Sequence, residues 1–173
     1  EEKNVRDLLV NWMRTENLTV KVDDMGNIYG IRHGNNSARK PLAIGSHIDT
    51  VQNGGKYDGI LGVLGGLEVI RCLNEAGIET EQDIVLCVWA NEEGSRFLPG
   101  MAGSGVIAGT RTSEECYQNY DTDMSITYKD ALVKIGYMGT PENRLGDIEE
   151  YLELHIEQGP VLEKNNLEVG IVS

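Results

Sequence analysis

The sequence has few of the features that mark membrane proteins or nucleic-acid-binding proteins. Its apolar runs are interrupted well short of the roughly 20 residues that a membrane-spanning helix needs. Basic residues are scarce: 15 Lys and Arg stand against 28 Asp and Glu, which gives a formal net charge of −13. With no basic stripe in the chain, we expect no nucleic-acid partner and no membrane partner.

Cysteine is also scarce, and its three positions, Cys72, Cys87 and Cys116, show no repeated spacing. An odd, irregular set argues against a disulfide framework and predicts a reducing, cytoplasmic location with small buried thiols. The N-terminal EEKNVRDLL has no initiator Met and none of the regions of a secretory signal, and EVGIVS ends the chain inside an apolar run. Both ends predict a segment of a longer protein.

The remaining pattern alternates helical and extended segments in 173 residues, enough for one domain. Helical periodicity or capping predicts helices at 5–13, 59–75, 112–115 and 127–135, with a short one in GSGVIAG. Extended patterns predict strands at 18–22, 28–31, 41–46, 83–90, 151–157 and 167–172. This alternation predicts an α/β fold with a mixed sheet covered by helices.

The apolar strand Val85–Ala90 is followed closely by two adjacent carboxylates, Glu92 and Glu93. Neighbouring like charges raise each other's proton affinity, and one of them usually needs a cation nearby to stay ionised. Because adjacent side chains point in different directions, the two cannot be equivalent ligands of one ion. One is therefore predicted to bind metal, and the other to act as a general base toward water.

Two further strands place histidines at the same edge of the predicted sheet. His47 follows the strand at 41–46, and His155 lies near the end of the strand at 151–157. Ligands of α/β sheets bind beyond the carboxyl ends of strands, and His with carboxylates is the donor set of a zinc-type site. Asp58, eleven residues after His47, could bridge two ions. Asp49, on the same side as His47, could accept the proton of its free ring nitrogen.

Three motifs in this order resemble the M20 peptidase superfamily: GSHIDTVQNGGKYDGILGVL, WANEEGSRF with MAGSG, and ELHIEQGPVLE. They span Gly45 to Glu163. They are similar to the branch that holds N-carbamoyl-L-amino acid hydrolases, allantoate amidohydrolases and β-ureidopropionases. Peptidase members usually have a longer spacing from the first His to the bridging Asp, and a carboxylate in the place of His155.

The resemblance implies a zinc-aminopeptidase-like catalytic domain that hydrolyses a linear N-carbamoyl or ureido amide with two divalent ions, Zn or Mn. It also implies a role for each site residue. His47, Asp58 and His155 bind one ion, Asp58 bridges to the second ion, and Glu93 binds that second ion. Glu92 is the general base, Asp49 is the carboxylate that supports His47, and Gln158 contacts the substrate. Finally, it implies a cis peptide bond at Asp58–Gly59.

The chain departs from the family pattern beyond His155. The family's second ion also takes a His from the far C-terminal part, and no His comes after His155 here. A separate lid and dimerisation domain, through which full-length members form homodimers, is missing too. Residues 1–173 are therefore predicted to be the N-terminal portion of an incomplete catalytic domain, inactive alone.

Two other interpretations stay open on the sequence. An M20-type dipeptidase or N-acyl amino acid deacylase would use the same centre, although the short spacing from His47 to Asp58 disfavours it. A non-catalytic metal-binding relative would keep the fold, but a purely structural site needs no spare base beside a ligand, as Glu92 and Glu93 provide.

Overall fold

Five strands form one mixed sheet at the centre of the molecule. The computed structural model describes residues 1–172. Its strands are β1 (Thr19–Val22), β2 (Ile28–Arg32), β3 (Leu42–His47), β4 (Ile84–Trp89) and β5 (Glu150–Leu152). They lie in the order β1-β2-β4-β3-β5. β1, β2 and β4 are successive antiparallel neighbours, whereas β3 runs parallel to both β4 and β5.

Six α-helices and one 3-10 turn accompany these strands in the described residues. The helices are α1 (Glu2–Thr15), α2 (Ile60–Glu75), α3 (Ala102–Ile107), α4 (Ser113–Tyr117), α5 (Tyr128–Ile135) and α6 (Val161–Lys164), and the turn is Pro141–Asn143. The predicted α/β architecture with a mixed, helix-covered sheet is confirmed. No helix within residues 1–172 is both long enough and apolar enough to cross a membrane.

The parallel pair β3–β4 places the end of both strands at one edge. α2 connects the two strands, and the register pairs His47, the last residue of β3, with Trp89, the last residue of β4. The loops that carry the predicted site residues therefore leave the sheet side by side, as parallel strands require.

The core lies on both faces of the sheet, and β4 contributes to each. Leu86 and Val88 belong to a large cluster with residues of α1, α2 and α5, while Val85, Cys87 and Trp89 belong to a smaller cluster on the opposite face. This alternation follows from the two-residue period of a strand. β4 is buried on both sides, which explains its continuous apolar sequence.

Two predicted strands differ in the structure: the one at 151–157 is shorter, and the one at 167–172 is not formed. β5 ends at Leu152, because the chain then leaves the sheet and passes over Gly62 of α2, where the Leu154 carbonyl leaves no room for a side chain. Residues 167–172 form no strand either. Their side chains lie largely in solvent, with Val169 and Ile171 73% and 95% exposed.

Two smaller expectations also differ. α1 buries Leu9, Val10 and Met13 but leaves Val5 and Trp12 nearly half exposed, because the buried stripe is shifted by one residue. All three cysteines are free, with Cys87 and Cys116 buried as predicted. Cys72 is exposed on α2, contrary to the expectation of a buried thiol.

Candidate active site

Four segments bring the predicted metal ligands to the carboxyl edge of the sheet. His47, Asp58 and His155 form one group whose ligand atoms all lie within 4.8 Å of one another. His47, Glu92 and Glu93 form a second group by the same measure. The two groups share His47, so five of the residues singled out in the sequence converge on one centre.

The hydrogen bonds of the two histidines fix which nitrogen is free. His47 Nδ1 lies 2.8 Å from the backbone carbonyl of Asp49, and His155 Nδ1 lies 2.8 Å from the carbonyl of Ile156. A carbonyl oxygen only accepts, so both Nδ1 atoms donate, and in the neutral ring both Nε2 atoms then carry a lone pair. These Nε2 atoms face Asp58 Oδ1, at 3.9 Å from His47 and 3.2 Å from His155.

Two carboxylate oxygens at this centre are buried without a hydrogen-bond partner. Within residues 1–172 they are Asp58 Oδ1 and Glu93 Oε1, whereas Asp58 Oδ2 accepts a hydrogen bond of 2.8 Å from Gln158 Nε2. A buried carboxylate oxygen that faces imidazole lone pairs is unfavourable unless a cation lies between them. Imidazole nitrogen with carboxylate oxygen suits a divalent ion such as zinc, so the residues present fit the implied metal.

Asp49 makes a different contact from the one expected. Its carboxylate accepts hydrogen bonds from the backbone N–H groups of Glu92, at 3.2 Å, and Glu93, at 3.1 Å. The His47 Nδ1 proton goes to the Asp49 backbone carbonyl instead, with the carboxylate 3.7 Å from that nitrogen. The Asp49 side chain therefore orients the loop with the paired carboxylates, and its backbone orients His47.

Glu92 and Glu93 differ in what surrounds them. Glu92 lines an open cleft of about 740 Å³, and its Oε2 lies 3.6 Å from His47 Nε2, while Glu93 Oε1 points into the buried centre. Burial raises the pKa of the Glu92 carboxyl; His47 opposes this shift, and the nearby carboxylates of Asp49 and Glu93 add to it. The two carboxylates therefore differ in surroundings, and their division into a ligand, Glu93, and a base, Glu92, stays a prediction.

Gly59 allows α2 to begin directly beside His47. Its φ is +69°, and a Cβ built on it would collide with the imidazole ring of His47. Both the left-handed backbone and the close approach require glycine. The Asp58–Gly59 peptide bond is trans, contrary to the cis bond implied by the resemblance. The positive φ of Gly59 turns the chain at this point.

One hydrogen-bonded chain beside the centre was not predicted. The Trp89 indole donates to the Tyr151 hydroxyl, which donates to Glu153 Oε2, and Ser46 Oγ donates to Glu153 Oε1. Tyr151 and Glu153 alternate on the same face as His155 in the sequence. That alternation was a signal, but it could not distinguish a bonded carboxylate from a solvated one.

Comparison with known proteins agrees with this geometry. Residues 43–172 match the pattern of Peptidase family M20/M25/M40. This chain belongs to that family.

The relatives of this M20 family chain are much longer than the chain itself. It is 44% identical over 168 residues to an N-carbamoyl-L-amino-acid amidohydrolase from Rhizobium meliloti, covering 97% of the chain and 40% of that protein. It is 33% identical over 181 residues to a ureidoglycolate hydrolase from Arabidopsis thaliana, covering 100% of the chain and 38% of that protein. The M20 chain thus spans about two fifths of these relatives.

A solved structure shows the same fold. The crystal structure of a hydantoinase/carbamoylase family amidase from Burkholderia ambifaria superimposes with a TM-score of 0.91 at 44% sequence identity, covering 95% of the M20 chain and 40% of that chain. The prediction of an M20 relative of the carbamoylase branch is confirmed. The roles of the individual site residues are not tested by these comparisons and stay predictions.

Proposed function

We propose that this chain forms part of a metal-dependent amidohydrolase that cleaves a C–N bond of a linear N-carbamoyl or ureido compound. The observation that carries the proposal is the pair of buried, unpartnered oxygens, Asp58 Oδ1 and Glu93 Oε1, beside two imidazole nitrogens with free lone pairs. The names of the relatives, an N-carbamoyl-L-amino-acid amidohydrolase and a ureidoglycolate hydrolase, support this substrate class.

The ligand atoms divide between two divalent cations, zinc or manganese. His47, Asp58 and His155 would hold one ion, and Glu93 together with Asp58 would hold the second. When bound, such ions polarise a carbonyl oxygen and lower the pKa of a water molecule. The Nδ1 bonds to backbone carbonyls orient both rings, so that both Nε2 atoms face the centre and little reorganisation is needed on loading.

Glu92 is the proton carrier of the proposed reaction. Its Oε2 stands at the wall of the cleft, 3.6 Å from His47 Nε2, where it can take a proton from the attacking water. The same oxygen then returns that proton to the leaving nitrogen. Burial raises the pKa of this carboxyl, which makes it a better proton acceptor than an exposed glutamate.

Gln158 contacts the substrate in this proposal. Its Nε2 donates to Asp58 Oδ2 at 2.8 Å, so this exposed amide lies directly beside a proposed metal ligand. In the proposed complex the same Nε2 would donate to a carbonyl or carboxylate oxygen of the substrate.

The relatives' greater length supports the remaining parts of the proposal. This chain is the N-terminal portion of the catalytic domain, and a lid and dimerisation domain and a C-terminal catalytic segment complete the site in a full-length homodimer. The segment alone is inactive.

The free thiols of Cys72, Cys87 and Cys116 fit a cytoplasmic location.

Metal binding by the purified chain tests the centre. We expect titration with Mn²⁺ or Zn²⁺ to show a site that His47→Ala abolishes. His33→Ala is the matched control, because His33 is exposed and bonds Thr19 far from the centre. Loss of affinity in both variants, or retention in both, would contradict the assignment.

Hydrolysis assays on the full-length enzyme test the substrate class. N-carbamoyl-L-amino acids should be cleaved with release of ammonia, whereas dipeptides and N-acyl amino acids should not. Preferential cleavage of dipeptides would replace the proposed substrate with that of a peptidase. Tight metal binding without any hydrolysis would indicate a non-catalytic relative.

A further inference from the structure

We propose that Asn27 is a positioning residue that holds the paired carboxylates Glu92 and Glu93 in place from the opposite side to Asp49. Asn27 lies in the turn between β1 and β2 and has no exposed surface. The inference rests on the proposed function, because it assigns Asn27 a role through the ligand Glu93 and the base Glu92.

The Asn27 amide joins two segments that flank the paired carboxylates. Its Oδ1 accepts a 2.9 Å hydrogen bond from the backbone N–H of Ala90, the residue after β4. Its Nδ2 donates to the carbonyl of Gly103 in the first turn of α3, at 3.3 Å. Ala90 and Gly103 are also bonded to each other, since the Gly103 N–H donates to the Ala90 carbonyl at 3.0 Å. Asn27 thus closes the base of the loop 90–103.

The loop has little freedom once its base is closed. The Met101 N–H donates to the Glu92 carbonyl at 2.6 Å, and Asn91 takes a positive φ of 50° just before Glu92. Any shift of Ala90 is therefore passed directly to the backbone of the two carboxylates. Asp49 holds their N–H groups from the other side.

Asp23 fixes the orientation of the Asn27 amide. Asp23 is fully buried, and its Oδ2 accepts from Asn27 Nδ2 at 2.9 Å and from the Tyr29 hydroxyl at 2.8 Å. A carboxylate only accepts, and the Ala90 N–H only donates, so the amide can satisfy both partners in one orientation alone. Gly103 completes the fit, because a Cβ there would collide with Asn27 Oδ1.

The first test measures the loop in the metal-free chain. In Asn27→Ala, backbone hydrogen exchange at Ala90 and Gly103 should accelerate at least tenfold, while exchange at Leu86 in the centre of β4 stays unchanged. Tyr29→Phe is the control, since it removes a bond to the same carboxylate without touching the loop. Unchanged exchange at Ala90, or an equal increase at Leu86, would overturn the proposal.

The second test measures the consequence for the metal centre. In the full-length enzyme, Asn27→Ala should weaken binding of Mn²⁺ at the site that depends on Glu93 by roughly tenfold or more, the effect of losing a group that orients a ligand. In a Glu93→Ala background the same substitution should have no further effect, because that ligand is already gone. A purely structural role predicts instead that the two losses add.

A third variant covers the case in which Asn27→Ala fails to fold. Asp23→Asn keeps the volume but offers an NH₂ group in place of Oδ2, so the Asn27 amide can turn over and present its own NH₂ to Ala90. The same local acceleration of exchange at Ala90 is expected, and its absence would overturn the proposal. Absence of any metal binding by the wild-type chain would refute the proposed function instead. Backbone hydrogen exchange at Ala90 and Gly103 would then be the test of whether Asn27 positions the loop.

Discussion

Replacing Asp49 with Asn separates two contacts that the structure assigns to one residue. The carboxylate of Asp49 holds the N–H groups of Glu92 and Glu93, whereas its backbone carbonyl holds His47 Nδ1. Asn retains one side-chain oxygen but presents an NH₂ group to the second N–H. We therefore expect Asp49→Asn to loosen the paired carboxylates and to leave the tautomer of His47 unchanged.

The size of the effect follows from the lost hydrogen bond. A hydrogen bond to a charged group contributes about 1.5–3 kcal/mol. The Asp49 side chain is 21% exposed, so water replaces part of the loss and the lower end applies. About 1.5 kcal/mol corresponds to a roughly tenfold lower affinity for the ion at Glu93. Binding at His47, Asp58 and His155 should change much less.

Two measurements check this prediction on the same samples. Calorimetric titration with Mn²⁺ gives the affinities, and ¹⁵N NMR of the imidazoles gives the His47 tautomer. Asp83→Asn is the matched control, because the Asp83 carboxylate accepts from the backbone N–H of Gly34 at 2.9 Å, far from the centre. A changed His47 tautomer, or equal losses in both groups of ligands, would refute the reasoning.

Three further outcomes are expected. In the full-length enzyme Glu92→Gln should retain its metal content, while steady-state hydrolysis falls by roughly 10²–10⁴, the usual contribution of a general base; full activity would contradict the assigned role. Gly59→Ala should lower the melting temperature and abolish metal binding, since the new Cβ displaces the His47 ring and the left-handed backbone costs a further 1–2 kcal/mol, roughly; normal binding in calorimetry would contradict the close approach. Burial raises the pKa of Asp24, but the hydrogen bonds from Arg144 and Tyr117 outweigh it and hold that pKa below 3.8. The stability lost in Asp24→Asn should therefore be greatest above pH 3.8 and shrink as pH falls further, as measured by urea unfolding; a pH-independent difference would contradict it.

The sequence predicted well the features that depend on local pattern. The capping box is present, with Thr112 accepting from the Glu115 N–H and Glu115 accepting from the Thr112 N–H. β4 was recognised because a strand buried on both faces is continuously apolar. The convergence of His47 with Glu92 and Glu93 followed from parallel strands ending at one edge.

Features that depend on long-range contacts were not predictable. Alternation in residues 151–157 predicted a strand more than twice as long as β5, since the pattern cannot show that Leu154 must cross α2. Spacing placed Asp49 beside His47 but could not tell a carboxylate contact from a carbonyl contact. Asn27 gave no signal, because its partners Ala90 and Gly103 lie 63 and 76 residues away.

The short pairing of β5 has a consequence for how the centre responds to its ions. β5 is joined to β3 by three residue pairs, and the segment beyond it, which carries His155, is largely exposed. His47 stands at the end of a six-residue strand that is paired on both sides. An ion held by both histidines, as proposed, would therefore attach this segment to the sheet. Loss of the ion would release this segment well before the sheet unfolds. Local unfolding at this edge of the domain and loss of metal are therefore expected to occur together.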